Sequence, residues 1–449
     1  GVGFKTADAV AGNLGLAPDS PKRIEAGIVH VLQELTDDGH AFFPYEELLV
    51  KCGEMLGVGP DRINPALKRL HDDGQLHLES LPDGTKACYL EWMWRYEVGV
   101  AESLRALATA PKRYPSMNAD AEIDEFQRKF HFEFHPRQRD ALCMALRGGV
   151  MIIPGGPGTG KTTIVRGIIE ILRRKGMRIM LAAPTGRAAK RLAETTRMDA
   201  ATLHRLLKYK PERGGFLMNE NKPLDADLVI VDESSMMDIP LTHHFLKAIR
   251  PTTSIIFVGD ADQLPSVGPG DLLSDMIESD ILPVVCLTEV FRQAQQSRIV
   301  TNAHLINHGE FPRLGRSDTP GAGDFYFVER TEPEKAIETI KHLLRKRIPN
   351  YFGLDPFDDV QVITPMHRGI LGTSNLNHEL QQMLNPKSPG VTIGSRVLKV
   401  GDKVMQTRNN YDKDVFNGDI GRIKSFNFTE QEMTVRFEDR MVTYDWTEA

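Results

Sequence analysis

Residues 1–110 read as mostly helical, with short polar turns between apolar clusters. The segments Pro44-Tyr45-Glu46-Glu47-Leu48-Leu49 and Ile63-Asn64-Pro65-Ala66-Leu67-Lys68-Arg69-Leu70 predict short helices. Leu76-His77-Leu78 and Cys88-Tyr89-Leu90 predict a small hairpin, and that order suggests a winged-helix-like module that either binds DNA or only packs. The polar stretch Ala110-Pro111-Lys112-Arg113-Tyr114-Pro115 reads as a linker. Beyond it, short apolar runs at 150–153, 178–183, 227–231, 254–258, 283–287 and 360–364 alternate with helical segments. This alternation predicts a mainly parallel sheet covered by helices on both faces. Near the end, Lys403-Val404-Met405-Gln406, Ile420-Gly421-Arg422-Ile423 and Met433-Thr434-Val435-Arg436-Phe437 are strands with no helices between them, the pattern of a small β-barrel. No internal repeat or low-complexity segment interrupts this order.

A length of 449 residues allows about three domains. The 41% apolar and 26% charged content is that of a soluble globular chain, and no apolar run approaches the ~20 residues that cross a bilayer. No charged-then-apolar signal opens the chain, so a cytoplasmic location without membrane contact is expected. The first residue is Gly1, which suggests a processed or trimmed chain. Cys52, Cys88, Cys143 and Cys286 are widely separated and lack metal-ligand spacing. They fit reduced, buried thiols, and no zinc is expected. The formal net charge of −6 does not point to a nucleic-acid partner, nor does it exclude one, since a binding channel needs only local positive charge and backbone donors.

The chemistry centres on Gly155-Gly156-Pro157-Gly158-Thr159-Gly160-Lys161-Thr162, followed by Thr163. It lies between the apolar strand Val150-Met151-Ile152-Ile153 and a helix carrying Ile164, Ile168 and Leu172 on one face. Glycines let backbone N–H groups converge on a β-phosphate, Lys161 reaches the β- and γ-phosphates, and the Thr162 hydroxyl is placed to ligate Mg²⁺. A second element, Leu228-Val229-Ile230-Val231-Asp232-Glu233, is an apolar strand ending in two carboxylates. Asp232 can hold the metal, usually through water, and Glu233 can orient and deprotonate an attacking water. A third strand, Ser254 to Gly259, runs into Asp260-Ala261-Asp262-Gln263-Leu264-Pro265. There Gln263 is either a γ-phosphate contact or a plain loop amide.

Together these three motifs resemble those of superfamily 1 helicases. The flanking runs Ala183-Pro184-Thr185-Gly186-Arg187-Ala188-Ala189-Lys190-Arg191-Leu192, Thr202-Leu203-His204-Arg205-Leu206-Leu207, Ser234-Ser235-Met236-Met237, Leu287-Thr288-Glu289-Val290-Phe291-Arg292-Gln293 and Val362-Ile363-Thr364-Pro365-Met366-His367-Arg368-Gly369 resemble the RecD-like branch. That resemblance implies an ATP- and Mg²⁺-dependent DNA helicase of the 5′→3′ class, active in DNA repair or recombination on single-stranded DNA and duplex junctions. The fold it implies is α/β, with tandem RecA-like P-loop motor domains, a helical N-terminal module and a small β-barrel insertion. The boundaries expected are 1–110, 111–285, 286–395 and 396–449. By position, Gln138 matches an adenine-reading glutamine, its alternative being a helix-surface amide, and Arg292 matches an arginine that reaches the γ-phosphate from the second motor domain, where without the resemblance it would read as a surface ion-pair residue. Thr185, Gly186, Arg187, His204, Thr364, Pro365 and His367 match segments that line a single-strand path, though Thr202 and His204 could equally cap a helix.

Two further segments are open to more than one reading. Gly1-Val2-Gly3-Phe4-Lys5 before Thr6-Ala7-Asp8 resembles the turn of a helix-hairpin-helix unit or is an ordinary helix start. Residues 208–223, with Gly214-Gly215, correspond to a β-hairpin pin at the duplex junction or form a connecting loop. The RecD-like pattern continues into a Val-His-Lys-Ser-Gln-Gly-type segment and a Thr-Arg-type segment, and neither occurs before Ala449. The expectation is therefore a piece of a longer helicase that binds nucleotide through Lys161 without processive unwinding. A DNA-dependent translocase and a non-catalytic DNA-binding module are the alternatives.

Overall fold

The computed structural model describes residues 3–210, 215–289, 297–314, 323–394, 396–407, 410, 413, 415, 418–437 and 440–448. They form two units, Gly1–Gln295 and Gln296–Ala449.

The first unit opens with α1 (Phe4–Asn13) and α2 (Pro21–Asp37), then β1 (Phe43–Pro44), α3 (Tyr45–Leu56), α4 (Pro60–Asp72), β2 (Leu76–Ser80), β3 (Lys86–Leu90) and α5 (Glu91–Thr109). The small sheet has the order β1-β3-β2, in which β2 and β3 form the hairpin expected from 76–78 and 88–90. Helical spacing explains why α2 packs: Ile24, Ile28, Val31, Leu32 and Leu35 share one buried face. They meet Leu48, Cys52 and Leu56 of α3 and Ile63, Leu67 and Leu70 of α4 in a single core.

The motor part follows as α6 (Ala119–Phe130), α7 (Pro136–Ala145), β4 (Val150–Pro154), α8 (Lys161–Arg174), β5 (Ile179–Ala183), α9 (Gly186–Thr196), β6 (Ala200–Thr202), α10 (Leu203–Leu206), β7 (Tyr209–Lys210), β8 (Gly215–Phe216), β9 (Leu228–Val231), α11 (Ile239–Lys247), β10 (Ser254–Gly259) and α12 (Leu272–Glu278). The five-stranded sheet has the order β4-β10-β9-β5-β6, and every ladder in it is parallel. β4, β9 and β10 are buried along their whole length, and the two-residue period of a strand sorts their side chains onto two faces. Val150, Ile152, Val229, Val231, Ile255 and Phe257 enter the core shared with α5 and the N-terminal helices. Met151, Ile153, Leu228, Ile230, Ile256 and Val258 enter the other, against Ile164, Ile168 and Leu172 of α8. Each such side chain contributes roughly 1.5–3 kcal/mol by leaving water. The strand expected at 283–287 is reduced to two parallel bridges beside β4, Ile152 with Val284 and Gly155 with Leu287.

The supposed linker is a docked strap. Lys112 Nζ donates to the carbonyls of Pro251 and Thr253 at 2.9 and 3.1 Å, and the Tyr114 hydroxyl donates to Ala145 O at 2.7 Å. Burial brings the Lys112 ammonium down to about 8 and pushes the Tyr114 phenol up. The boundary expected near residue 110 is thus not a break in packing, because the N-terminal helices and one face of the motor sheet share a core.

In the second unit, helices cover Arg298–Asn307, Pro333–His342 and Thr373–Leu384, with a π-helical turn at Leu343–Arg347. The hairpin β11 (Gly390–Ile393) and β12 (Arg396–Lys399) precedes an antiparallel sheet of β13 (Lys403–Met405), β14 (Ile420–Asn427), β15 (Glu432–Arg436) and β16 (Met441–Asp445). Alternation puts Met433, Val435, Val442 and Tyr444 inside with Val415 and Ile423, the core of this sheet where a small barrel is expected. Buried Asp402 accepts from Asn385 Nδ2 at 2.7 Å and from Lys399 N at 2.8 Å, joining the helix at 373–384 to this sheet.

The strand expected at 360–364 does not form: Ile363 is 89% exposed, and no parallel sheet occurs among the described residues of 286–395. An apolar run becomes a strand only beside a partner, and in this span none lies next to 360–364. Cys52 and Cys88 are buried, with thiols pushed up to about 12 by burial. Cys143 is half-buried and Cys286 is exposed, which corrects the expectation of four buried thiols; Cys286 lies where strand pairing gives way to isolated bridges. Among the described residues no helix is long and apolar enough to cross a membrane, and no His, Cys, Asp and Glu cluster of three or more is placed to hold a metal.

Candidate active site

The site lies where the parallel strands end, at their carboxyl edge, as open α/β sheets dictate. β4 delivers Gly155, and the loop turns through Pro157 and Gly158 to Lys161 at the start of α8. Gly158 and Gly160 have φ of 78° and 81°, a conformation that side chains with a Cβ rarely adopt, so the tight turn needs glycine there. At Gly155 the need is for close approach: a Cβ would lie 2.8 Å from Thr159 Oγ1 and 2.9 Å from Leu287 O. Thr159 Oγ1 donates to Gly156 O at 2.8 Å and closes the loop on itself. Lys161 Nζ donates to the carbonyls of Gly155 and, at 3.1 Å, of Gly156, which places the ammonium inside the loop. Thr162 is exposed and Thr163 half-buried on the first turn of α8, a turn that carries no acidic side chain to offset the helix dipole.

β9 delivers Asp232, whose N–H donates to Ala182 O at 2.9 Å while its own Oδ1 accepts from Glu233 N at 2.9 Å. Glu233 has φ of 51°, a left-handed conformation uncommon for glutamate, which turns its side chain off the strand axis. Burial holds both carboxyls above the usual carboxylate range. For Glu233 the neighbouring Asp232 and Asp260 push further up. Lys161 and Arg191 act on both in the opposite sense.

β10 ends beside them. Asp260 is 3% exposed, and it accepts from Gln263 Nε2 at 3.2 Å and from Asp262 N at 3.1 Å. Gln263 is thus an exposed loop amide oriented by a buried carboxylate. Gln138 is buried, not on a helix surface; its Oε1 accepts from His135 N at 3.2 Å and its Nε2 donates to Thr159 O at 3.3 Å. Arg191, on α9, and Asp260 carry no signal in the sequence that marks them as part of the site. Their roles come from strands and helices that meet only in the fold.

These residues fit a magnesium nucleotide. The loop is closed to any larger side chain at Gly155, the first turn of α8 bears neither an acidic side chain nor a side-chain cap, and two partly buried carboxylates favour a neighbouring cation. Thr162 and Asp232 are the residues that would hold the metal.

The residues expected on a strand path are more dispersed. Thr185 caps α9, its Oγ1 accepting from Ala188 N at 3.3 Å; Gly186 and exposed Arg187 follow on the first turn. Thr202 caps α10 in the same way, accepting from Arg205 N at 3.2 Å. His204 is half-buried against Tyr209 and Phe216 of the hairpin, and burial lowers its imidazole. In the second unit, Thr364 Oγ1 donates to Leu371 O at 2.7 Å beside Pro365, and His367 Nδ1 lies 3.3 Å from Thr373 Oγ1. Arg292 and Gly214 lie outside the described residues.

Three family descriptions match the chain: an AAA domain at 138–269, the SH3 domain of ATP-dependent RecD-like DNA helicases at 376–437, and the helix-hairpin-helix domain of ATP-dependent RecD2 DNA helicases at 1–42. The ATP-dependent RecD2 DNA helicase of Deinococcus radiodurans is 33% identical over 98% of this chain and 60% of its own length. Along nearly its whole length the chain is similar to the RecD-like superfamily 1 helicases. The RecBCD enzyme subunit RecD of Mycolicibacterium smegmatis is 30% identical to this RecD-like chain over 74% of it and 64% of the relative. The chain thus spans about 60% of the length of these curated relatives. Among solved structures, one of Pif1 helicases unwinding forked duplex DNA covers 70% of the chain and is itself covered to 76%, at 18% identity and a TM-score of 0.37. That likeness is too loose to build on.

Proposed function

We propose that this RecD-like chain hydrolyses ATP with Mg²⁺ and uses the energy to move 5′→3′ on single-stranded DNA and part the duplex at junctions. The setting is DNA repair or recombination in the cytoplasm. The observation that carries the reading is the meeting of the Lys161 loop with Asp232 and Glu233 at the carboxyl edge of one parallel sheet.

In this reading the backbone N–H groups of 156–163 and the Lys161 ammonium bind the β- and γ-phosphates, and Gln138 reads the adenine edge from its fixed place against Thr159. Magnesium, when held by Thr162 and Asp232, neutralises phosphate charge that would otherwise oppose attack. Glu233 orients the attacking water and takes its proton. Gln263, held by Asp260, senses the γ-phosphate, and Arg292 stabilises charge that develops on it. Thr185, Gly186, Arg187, His204, Thr364, Pro365 and His367 contact the DNA backbone without reading sequence.

A forked duplex assay with ATP hydrolysis measured in the same reaction tests this. Strand separation coupled to hydrolysis supports a helicase. Hydrolysis stimulated by single-stranded DNA without fork opening would show a translocase instead, and neither activity would show a binding module.

A further inference from the structure

The β7–β8 hairpin has only two residues in each strand, paired Tyr209 with Phe216 and Lys210 with Gly215. A two-stranded ribbon this short is marginal on its own in water, so something must hold it. Two backbone bonds tie its base, Leu217 N to Lys208 O at 3.3 Å and Met218 N to Leu207 O at 3.1 Å, and a column of rings packs against its strands. Tyr209 and Phe216 lie 5.0 Å apart, and His204 of α10 packs 5.7 Å from Phe216. Phe216 lies 4.9 Å from His244 of α11, and His244 meets Tyr96 of α5 edge-on at 5.3 Å. Tyr96 then stacks on His243 at 4.3 Å with an interplanar angle of 15°.

The column crosses from the hairpin, over the motor helix α11, to a helix of the N-terminal module. Residue 99 shows that this contact is built in: a Cβ on Gly99 would lie 2.7 Å from both Cε1 and Nδ1 of His243, so α5 can approach α11 this closely only with glycine there. Glycine inside a helix is destabilising relative to alanine, which leaves close approach as its reason. Burial lowers both imidazoles, with Lys247 acting in the same sense and Glu220 against it.

We propose that His244 is a positioning residue for strand separation: touching Phe216 on one side and Tyr96 on the other, it holds the hairpin at a fixed attitude to the motor and to the N-terminal module. This rests on the reading of the hairpin as the element that splits the duplex. Mechanical force from the motor reaches the junction only if the wedge does not yield, so loss of the column should lower the work done per ATP and leave hydrolysis alone.

The test uses the full-length protein, with forked-duplex unwinding and DNA-stimulated ATP hydrolysis measured together for H244A, Y96A, H244F and a deletion of residues 211–214. H244A and Y96A should each open on the order of tenfold fewer base pairs per ATP hydrolysed, with hydrolysis unchanged, since each loses aromatic contacts. H244F should restore the ratio. If the deletion abolishes unwinding while H244A unwinds normally, the column does not position the hairpin and the proposal is overturned. If the deletion itself leaves unwinding intact, the reading of the hairpin fails and the proposal with it. Parallel loss of both activities in H244A, with no recovery in H244F, would reduce the column to a folding role and also overturn it.

Discussion

The side-chain amide of Gln138 donates to the main-chain carbonyl of Thr159 over 3.3 Å, tying the first turn of α7 to the phosphate loop. An amide nitrogen has two donors and its oxygen two lone pairs, so with one of each engaged, one donor and one acceptor remain for a base edge. Gln138→Ala should weaken ATP binding by on the order of tenfold, because a buried carbonyl and N–H lose partners together, and should narrow the preference for ATP over GTP. Titration calorimetry with both nucleotides checks this. An unchanged ATP-to-GTP ratio would leave Gln138 as a helix cap alone.

Lys161 has its ammonium within the loop that receives phosphate. Lys161→Ala should lower ATP turnover by on the order of 10²–10³-fold or more, through loss of charge stabilisation that water cannot replace. Binding of single-stranded DNA, measured by fluorescence anisotropy without nucleotide, should change little, since the expected DNA contacts lie on other residues.

Glu233→Gln should keep nucleotide binding and lose hydrolysis, because the amide cannot accept the water's proton at the same position. Its pH dependence follows from the local electrostatics. A general base works only when ionised, and burial with Asp232 and Asp260 nearby raises the Glu233 carboxyl. The acid limb of turnover should therefore set in at a higher pH than for an ordinary glutamate. A pH–rate profile with an acid limb in the ordinary carboxylate range would contradict that assignment.

His243 titrates in the opposite sense to a stabilising ion pair. Burial, Lys247 and His244 lower its imidazole from 6.5 to about 4 in the fold, so between those values the unfolded chain binds the extra proton. Stability should fall as pH drops from about 6.5 to about 4 and level off below. His243→Phe should flatten that part of a thermal-melt pH series, and an unaltered slope would show that other groups set it.

Much of this was legible because the relevant signals are local. The continuous apolar runs at 150–153, 227–231 and 254–258 announce buried strands, and the glycine spacing before Lys161 announces the loop. What was not legible depends on partners distant in sequence. The apolar run at 360–364 has strand composition but no neighbouring strand among the described residues, so it forms no strand and leaves Ile363 exposed. Lys112 and Tyr114 look like linker residues until the loop at 251–253 and the end of α7 supply carbonyls for them. Spacing alone lets Gln138 read as a helix-surface amide, yet the fold buries it against the phosphate loop. His204 matched a DNA-path motif, and the fold packs it against the hairpin rings, a contact that spacing alone does not show.

The central claim is that the site around Lys161, Asp232 and Glu233 drives directional strand separation. The most direct measurement compares unwinding of 5′-tailed and 3′-tailed duplexes by the full-length protein with Mg²⁺ and ATP, beside the Lys161→Ala variant. The account predicts that only the 5′-tailed substrate opens and that the variant opens neither. Opening of the 3′-tailed duplex alone, or equal unwinding by the variant, would contradict it.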